Sequence, residues 1–200
     1  KIIVGGTHAT ILPEQVLKEC KGIDYVVRQE YDYTVPEIIQ NEDISKVLGV
    51  SYRENGEIKH TPDRPQLENL DELPYVSKVY QQFLDVNDYA YAFAQKPMIQ
   101  IVSSRGCPNH CNFCSYPSTM GGRNYRTRSI KDLTDEFEYI LKEMPEIKEI
   151  FIEDDTFTVN QERVQNFCDE ILKRNIKPVW SCNTRVDLTY ETMKKMKEAG

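Results

Sequence analysis

The stretch Met98–Cys114, MIQIVSSRGCPNHCNFC, joins a strand pattern to three closely spaced cysteines. Its first seven residues, MIQIVSS, are a short, largely apolar run of the kind that predicts a buried β-strand. Cys107, Cys111 and Cys114 follow with the spacing CxxxCxxC. In α/β folds built from βα units, the loops that follow the strands carry the reactive groups. This stretch therefore predicts an α/β domain with a functional site directly after the strand.

The chain after the cysteines repeats the alternation of strand and helix. The strand patterns IKEIFIEDD and PVWSCNTR each precede an amphipathic helix, and we predict helix N-caps at Ser129, Asn160 and Thr189. Three successive βα units are the beginning of a (βα) barrel. We therefore expect residues 96–200 to form the N-terminal part of a partial barrel.

The beginning of the chain has a second α/β pattern. Residues 1–45 read β-α-β-α and predict the C-terminal part of a Rossmann-like domain with a parallel sheet, in which Thr34 is a candidate N-cap. Residues 46–95 lack a sustained period and contain a hairpin pattern with Asn55 and Gly56 in its turn. We interpret this middle segment as a linker.

Composition narrows the functional classes. Hydrophobic residues make up 40% of the chain, charged residues make up 28%, and the formal net charge is -7. This charge argues against a broad nucleic-acid surface, and no apolar run is long enough to span a membrane. Six cysteines in 200 residues are too few for a disulfide-stapled secreted domain. We expect a cytoplasmic protein with reduced thiols, and because the chain does not begin with Met we interpret it as a piece of a longer protein.

Polar side chains also follow the next two predicted strands. Glu153, Asp154 and Asp155 end the first of them, and Arg185 ends the second. Because the loops after parallel strands converge on one face of a barrel, a single active site would bring these groups to the cysteines.

The cysteine spacing leaves two kinds of metal site open. A structural zinc ion takes four protein ligands, and the next cysteine, Cys168, falls on the apolar face of a predicted helix. Three thiolates on an iron–sulfur cluster leave one iron without a protein ligand, and that iron can bind a small molecule. A structural zinc-binding module without catalysis remains the alternative from a different class.

The CxxxCxxC motif, with Phe113 before its last cysteine and a strand before its first, resembles the radical S-adenosylmethionine (SAM) superfamily over residues 96–200. The resemblance implies that the three cysteines hold a [4Fe-4S] cluster, that SAM binds the remaining iron, and that reductive cleavage of SAM yields a 5'-deoxyadenosyl radical. It also implies the contacts with SAM: Glu153, Asp154 and Asp155 with its ammonium group, Arg185 with its carboxylate, and Phe113 near its adenine.

A second resemblance covers the first 45 residues. The stretches VGGTHAT, PEQVLKE and DYVVRQEYDYTVPEII are similar to the end of the cobalamin-binding domain that precedes the barrel in one large radical SAM subfamily. This implies that Gly5, Gly6 and His8 contact cobalamin. Where related members read Gly-Glu-Gly-Glu, this chain has residues 29–32, QEYD.

The two resemblances together imply a cobalamin-dependent radical SAM enzyme that acts on a small-molecule substrate. The reaction they imply is methyl transfer to, or rearrangement of, an unactivated carbon, with an electron donor such as flavodoxin or ferredoxin. Radical-mediated cyclisation or ring contraction of a lipid or tetrapyrrole without methyl transfer is the alternative. No residue is assigned a catalytic role beyond the cofactor ligands.

Overall fold

The computed structural model describes residues 1–200. The strands are β1 (Ile3–Val4), β2 (Tyr25–Val27), β3 (Val50–Glu54), β4 (Glu57–His60), β5 (Met98–Ile101), β6 (Ser104–Arg105), β7 (Arg126–Thr127), β8 (Glu149–Ile152) and β9 (Trp180–Cys182). The helices are α1 (Thr7–Ile11), α2 (Pro13–Glu19), α3 (Thr34–Gln40), α4 (Val76–Phe83), α5 (Tyr116–Thr119), α6 (Ile130–Glu143), α7 (Gln161–Lys173) and α8 (Tyr190–Glu198). None of these helices has both the length and the apolar character that a membrane span needs.

The chain forms two compact units. The first unit comprises residues 1–68 together with 106–124, and the second comprises residues 69–105 together with 125–200. The segment that contains the three cysteines therefore belongs to the first unit, although β5 and β6 before it and β7 after it belong to the second.

The first unit contains a four-stranded sheet in the order β1-β2-β3-β4. β1 and β2 are parallel, as the β-α-β pattern predicts, whereas β3 pairs antiparallel with both β2 and β4. The predicted hairpin is confirmed: Asn55 and Gly56 connect β3 to β4 with φ angles of 53° and 85°. Two successive positive φ angles suit the right-handed twist of the flanking strands.

Helices cover both faces of this sheet. Successive strand residues point to opposite faces, so Val26 packs with Ala9 of α1 and Leu17 of α2, whereas Val27 packs with Ile38 of α3. The predicted N-cap at Thr34 is wrong, because the helix begins at this residue and no side chain caps it. The Thr34 hydroxyl instead donates to the carbonyl of Leu48, at 3.2 Å.

The second unit contains the parallel sheet β5-β8-β9. Ile101 pairs with Ile152, and Ile152 pairs with Cys182. α6 and α7 provide the crossovers, and α8 follows β9, so the three predicted βα units are confirmed. The α/β fold class follows from both units.

α6, α7 and α8 begin where the sequence predicts, whereas α4 lies in the segment that we interpreted as a linker. Ser129 Oγ, Asn160 Oδ1 and Thr189 Oγ1 accept hydrogen bonds from backbone N–H groups in the first turns of α6, α7 and α8. Phe137 and Phe167 meet in the core with ring centroids 5.2 Å apart at nearly right angles. Such edge-to-face contacts add to the stabilisation that apolar burial supplies.

The boundaries of the compact units differ from the predicted boundaries at residues 45 and 95. β3 pairs with β2 and joins the hairpin to the first unit, whereas α4 packs against β5 and joins residues 69–95 to the second. No separate linker unit is formed. The division into a cobalamin-binding portion and a barrel portion stays a prediction.

Candidate functional site

The cysteine loop, defined here as residues 106–124, presents its thiols on a short irregular segment. Cys107 and Cys111 are half-buried and Cys114 is exposed. Cys114 N donates to the carbonyl of Cys111 at 3.2 Å, which closes a turn around the last two cysteines. Asn109 Nδ2 lies 3.4 Å from Cys107 Sγ, within the range of a weak hydrogen bond to sulfur. The Phe113 ring is 93% exposed, so it is free to pack against a ligand.

The ends of the cysteine loop meet at a narrow neck. Cys107 N donates to the carbonyl of Gly122 at 3.1 Å. Gly106 has a φ of 85°, and a Cβ on it would lie 2.2 Å from the carbonyl oxygen of Asn124. Only glycine fits this position, because a side chain would be strained by the backbone and would also clash with the returning strand of the loop.

The other cysteines are poor ligand candidates. Burial raises the pKa of the Cys168 thiol to about 12, and burial also raises that of Cys182 to about 12. A metal ligand must be a thiolate, so both sites disfavour ligation. Cys20 is exposed at the end of α2. Among the six cysteines, the candidate ligands are therefore the three thiols of the loop.

These three thiols suit an iron–sulfur cluster by their chemistry. Thiolates are the ligands that such clusters take, and accessible cysteines on one loop can supply three of them. No three His, Cys, Asp or Glu side chains lie close enough together to hold a single metal ion. By number and type, three cysteine thiols on one loop are the ligands that leave one iron of a cluster without a protein ligand.

Asp154, one of the three predicted acids, is engaged inside the second unit. It is only 1% exposed. Its carboxylate accepts hydrogen bonds from Ser103 N at 2.7 Å and Ser103 Oγ at 2.6 Å. It also accepts from Ser104 N at 3.0 Å and Ser104 Oγ at 2.5 Å. Four donors saturate this carboxylate, so Asp154 joins the end of β8 to the segment between β5 and β6.

Asp155 differs from its neighbour. Its Oδ2 is buried and has no hydrogen-bond partner. Burial, together with the charges of Asp154 and Glu153, raises the pKa of Asp155 to about 6. A buried, unpaired carboxylate oxygen fits an incoming cationic or hydrogen-bond-donating group.

Glu153 and Arg185 are both exposed at the ends of their strands. Glu153 Oε2 accepts from Gln100 Nε2 at 3.0 Å. Arg185 Nε lies 3.3 Å from Asp187 Oδ2, in an exposed ion pair that is worth little to stability. Both side chains are therefore accessible to a ligand.

Gly5 and Gly6, at the N-terminal candidate site, have different surroundings. A Cβ on Gly5 would lie 2.9 Å from Val27 Cγ2 and 3.1 Å from Tyr31 Cε1. Gly6 has a φ of 98° and nothing within 4 Å of an added Cβ. Gly6 therefore leaves open space before α1, and His8 is exposed on that helix. That Gly5, Gly6 and His8 contact cobalamin stays a prediction.

The two compact units divide the predicted site residues between them. The first unit holds Gly5, Gly6, His8, Cys107, Cys111, Phe113 and Cys114, and the second holds Glu153, Asp154, Asp155 and Arg185. That all of them meet around one ligand stays a prediction.

Sequence reasoning missed the residues that hold Asp154. Ser103 and Ser104 provide all four of its donors, and Asn183 Nδ2 donates to its carbonyl at 3.2 Å. Two adjacent serines directly after a buried strand were the sequence feature that could have indicated this role. Arg163 was missed as well: it is buried, and its Nη2 donates to the Ser103 carbonyl at 3.3 Å.

Comparison with protein families identifies the second half of the chain. Residues 101–200 match the family described as the radical SAM superfamily. This range includes the three cysteines, the acids after β8 and Arg185.

Relatives extend the similarity over the whole chain. An uncharacterized methyltransferase of Pyrococcus horikoshii is 34% identical over 100% of this chain and 43% of its own length. The anaerobic magnesium-protoporphyrin IX monomethyl ester cyclase of Rubrivivax gelatinosus is 30% identical over 92% of this chain and 33% of its own length. The chain thus spans less than half the length of these curated relatives.

A solved structure has the same fold. The radical S-adenosylmethionine methyltransferase TsrM from Kitasatospora setae, with cobalamin and a [4Fe-4S] cluster bound, matches with a TM-score of 0.69 and 16% identity. The match covers 99% of this chain and 40% of the TsrM chain. The chain therefore shares the fold of the matched part of the TsrM structure.

Proposed function

The chain belongs to the radical SAM superfamily, and from this premise we propose that it is part of a cobalamin-dependent radical SAM enzyme. The observation that carries the proposal is the cysteine loop, in which Cys107, Cys111 and Cys114 supply three accessible thiols and no fourth. When bound, the [4Fe-4S] cluster supplies the electron that cleaves SAM to methionine and a 5'-deoxyadenosyl radical.

The residues of the second unit bind and orient SAM in this proposal. Asp155 offers its unpaired Oδ2 to the ammonium group, and Glu153 adds negative charge nearby. Arg185 binds the SAM carboxylate, since a guanidinium can contact both oxygens at once. Asp154 acts indirectly, because its carboxylate already holds Ser103 and Ser104.

Residues of the first unit take the remaining contacts. Phe113 packs against the adenine, and Gly6 and His8 contact cobalamin. The open space at Gly6 and the exposure of His8 support this assignment. The missing side chain of Gly5 is already explained by Val27 and Tyr31, so Gly5 contributes close packing beneath the site.

We propose methyl transfer to an unactivated carbon of a small-molecule substrate as the reaction. The similarity to a methyltransferase over 100% of this chain supports it. Cyclisation is the second candidate, because the similarity to the magnesium-protoporphyrin IX monomethyl ester cyclase covers 92% of the chain. The products separate the two: methyl transfer from SAM also releases S-adenosylhomocysteine, and cyclisation without methyl transfer does not.

The proposal also includes an electron donor and a cytoplasmic location. A protein electron donor such as flavodoxin or ferredoxin would reduce the cluster in the cytoplasm. The formal net charge of -7 argues against nucleic acid as a partner.

Anaerobic reconstitution of the protein with ferrous iron and sulfide tests the proposed function. We expect a brown protein that holds about four irons and four sulfides per chain. On reduction in the presence of SAM it should release 5'-deoxyadenosine, measured by chromatography. A colourless protein that retains one zinc ion would instead support the zinc-binding module.

A further inference from the structure

A side chain from outside the cysteine loop binds the neck of the loop. Gln66, in the segment after the β3–β4 hairpin, donates from its Nε2 to the carbonyl of Gly121 at 3.0 Å. The next residue, Gly122, accepts the hydrogen bond from Cys107 N. Gln66 is thus connected to the backbone of Cys107 through the adjacent residues Gly121 and Gly122.

The shape of the neck matches this side chain closely. Gly122 has a φ of 69°, and a Cβ on it would lie 2.1 Å from Gln66 Nε2. Gly106 on the opposite side also has a positive φ, and its own added Cβ would lie 3.0 Å from the Gly121 carbonyl oxygen. A side chain at Gly106 would therefore meet fixed backbone around the carbonyl that Gln66 binds, whereas a side chain at Gly122 would have to displace the Gln66 amide.

The backbone that carries Gln66 is in turn tied to the corner after β2. The Glu30 side chain is only 8% exposed, and its Oε2 accepts from the backbone N–H of Leu67 at 3.0 Å. Gln29 before it adopts a φ of 58°, and its N–H donates to Thr10 Oγ1 at 3.0 Å. Thr10 lies on α1, the helix that also carries His8.

We propose that Gln66 is a positioning residue for the first cysteine of the cluster-binding loop. It holds the Gly121–Gly122 backbone against Cys107, and Glu30 holds Gln66 in register through Leu67. This inference rests on the proposed function, because it concerns the loop that would bind the cluster. All of these contacts lie within the first compact unit.

Hydrogen exchange in the iron-free protein tests the contact directly. Gln66→Met keeps the length of the side chain and removes the amide donor. We expect the Cys107 amide to exchange about fivefold faster than in the wild type, the effect of losing one ordinary hydrogen bond. Gln15→Met is the matched control, because Gln15 Nε2 donates only to the exposed Glu19 on its own helix, at 2.7 Å. Equal exchange in the two variants would overturn the proposal.

The reconstituted protein provides two measurements that would not change if Gln66 only stabilised the fold. In Gln66→Met we expect an altered electron paramagnetic resonance signal of the reduced cluster and a severalfold faster loss of iron to a chelator. The melting temperature should stay close to that of Gln15→Met. Unchanged spectra and chelation rates would count against Gln66. If the wild type itself binds no cluster, the proposed function fails, while the exchange experiment still decides the role of Gln66.

A double-mutant cycle distinguishes loss of the specific contact between Gln66 and the neck from a general loosening of the cysteine loop. Gly122→Ala should displace Gln66 and accelerate exchange at Cys107 in the wild-type background. In the Gln66→Ala background the space is already vacant, so Gly122→Ala should have a smaller effect. Additive effects of the two substitutions would show that the side chains do not share this space and would overturn the proposal.

Discussion

The cysteine loop and the acidic end of β8 both place polar side chains directly after a buried strand, but their surroundings differ. Cys114 is exposed and Cys107 and Cys111 are half-buried, so all three thiols can be reached by a ligand. Asp154 is buried and accepts four hydrogen bonds from two neighbouring serines. The end of a strand therefore carries accessible side chains in one region, where we propose ligand binding, and internally bonded side chains in the other.

Side chains proposed to bind a ligand differ from side chains that stabilise the fold in whether their polar atoms already have hydrogen-bond partners. A side chain that must bind a ligand keeps its polar atoms accessible or unpaired, as Asp155 Oδ2 does. A buried carboxylate that stabilises the protein has all its acceptors filled, since an unfilled one costs free energy. Within the acidic trio, Asp154 has its acceptors filled, and Asp155 has an unpaired oxygen that makes it the member we propose to bind a ligand.

Cys111→Ala should have the largest effect on function and almost none on stability. We expect loss of bound iron and at least about a hundredfold less 5'-deoxyadenosine, because two thiolates cannot hold the cluster. The free energy of unfolding of the iron-free protein should change by less than about 0.5 kcal/mol, as at other partly exposed sites. Iron analysis and denaturant titration measure the two quantities. Normal iron content in this variant would remove the cluster from the loop.

Asp154→Ala should show the opposite pattern. It leaves the hydroxyl and N–H groups of Ser103 and Ser104 without their acceptor, so we expect the free energy of unfolding to fall by about 3 kcal/mol. Glu153→Ala is the neighbouring control, and its exposed side chain should matter little. Denaturant titration compares the variants. A loss in Asp154→Ala no larger than in the control would place Asp154 with the ligand-binding residues.

Asp155→Asn should have the smallest effect, visible as a dependence on pH. The pKa of Asp155 is raised to about 6 in the folded protein, mainly by burial. Between about pH 4 and pH 6 the folded state binds more protons at this site than the unfolded state, so the stability of the wild type falls as pH rises through that window. Asn removes this titration, and its advantage over the wild type should grow up to about pH 6 and then level off.

Melting temperatures across this range measure the difference between Asp155→Asn and the wild type. Asp187→Asn is the control, because it makes the same substitution at an exposed position. Parallel curves for Asp155→Asn and the wild type would mean that Asp155 is not buried as a titrating group, and would weaken the contrast with Asp154.

Local signals made much of the fold predictable. Ser129, Asn160 and Thr189 cap their helices as expected, because an N-cap depends on contacts within one turn. Asn55-Gly56 makes the hairpin turn for a similar reason. Thr34 carries the same local signal and is not a cap, because Arg64 Nε donates to its hydroxyl at 2.8 Å from a distant part of the chain.

The three thiols, their spacing and the βα units that follow can be read from the amino-acid sequence, because they depend on residues close together in the chain. Which polar groups are internal, and what holds the loop, depends on contacts between distant residues. Ser103 and Asp154 are 51 positions apart, and Gln66 and Gly121 are 55 apart. Hydrogen bonds over such separations form only when the folded backbone brings their partners together, so they leave no periodic or local pattern in the sequence.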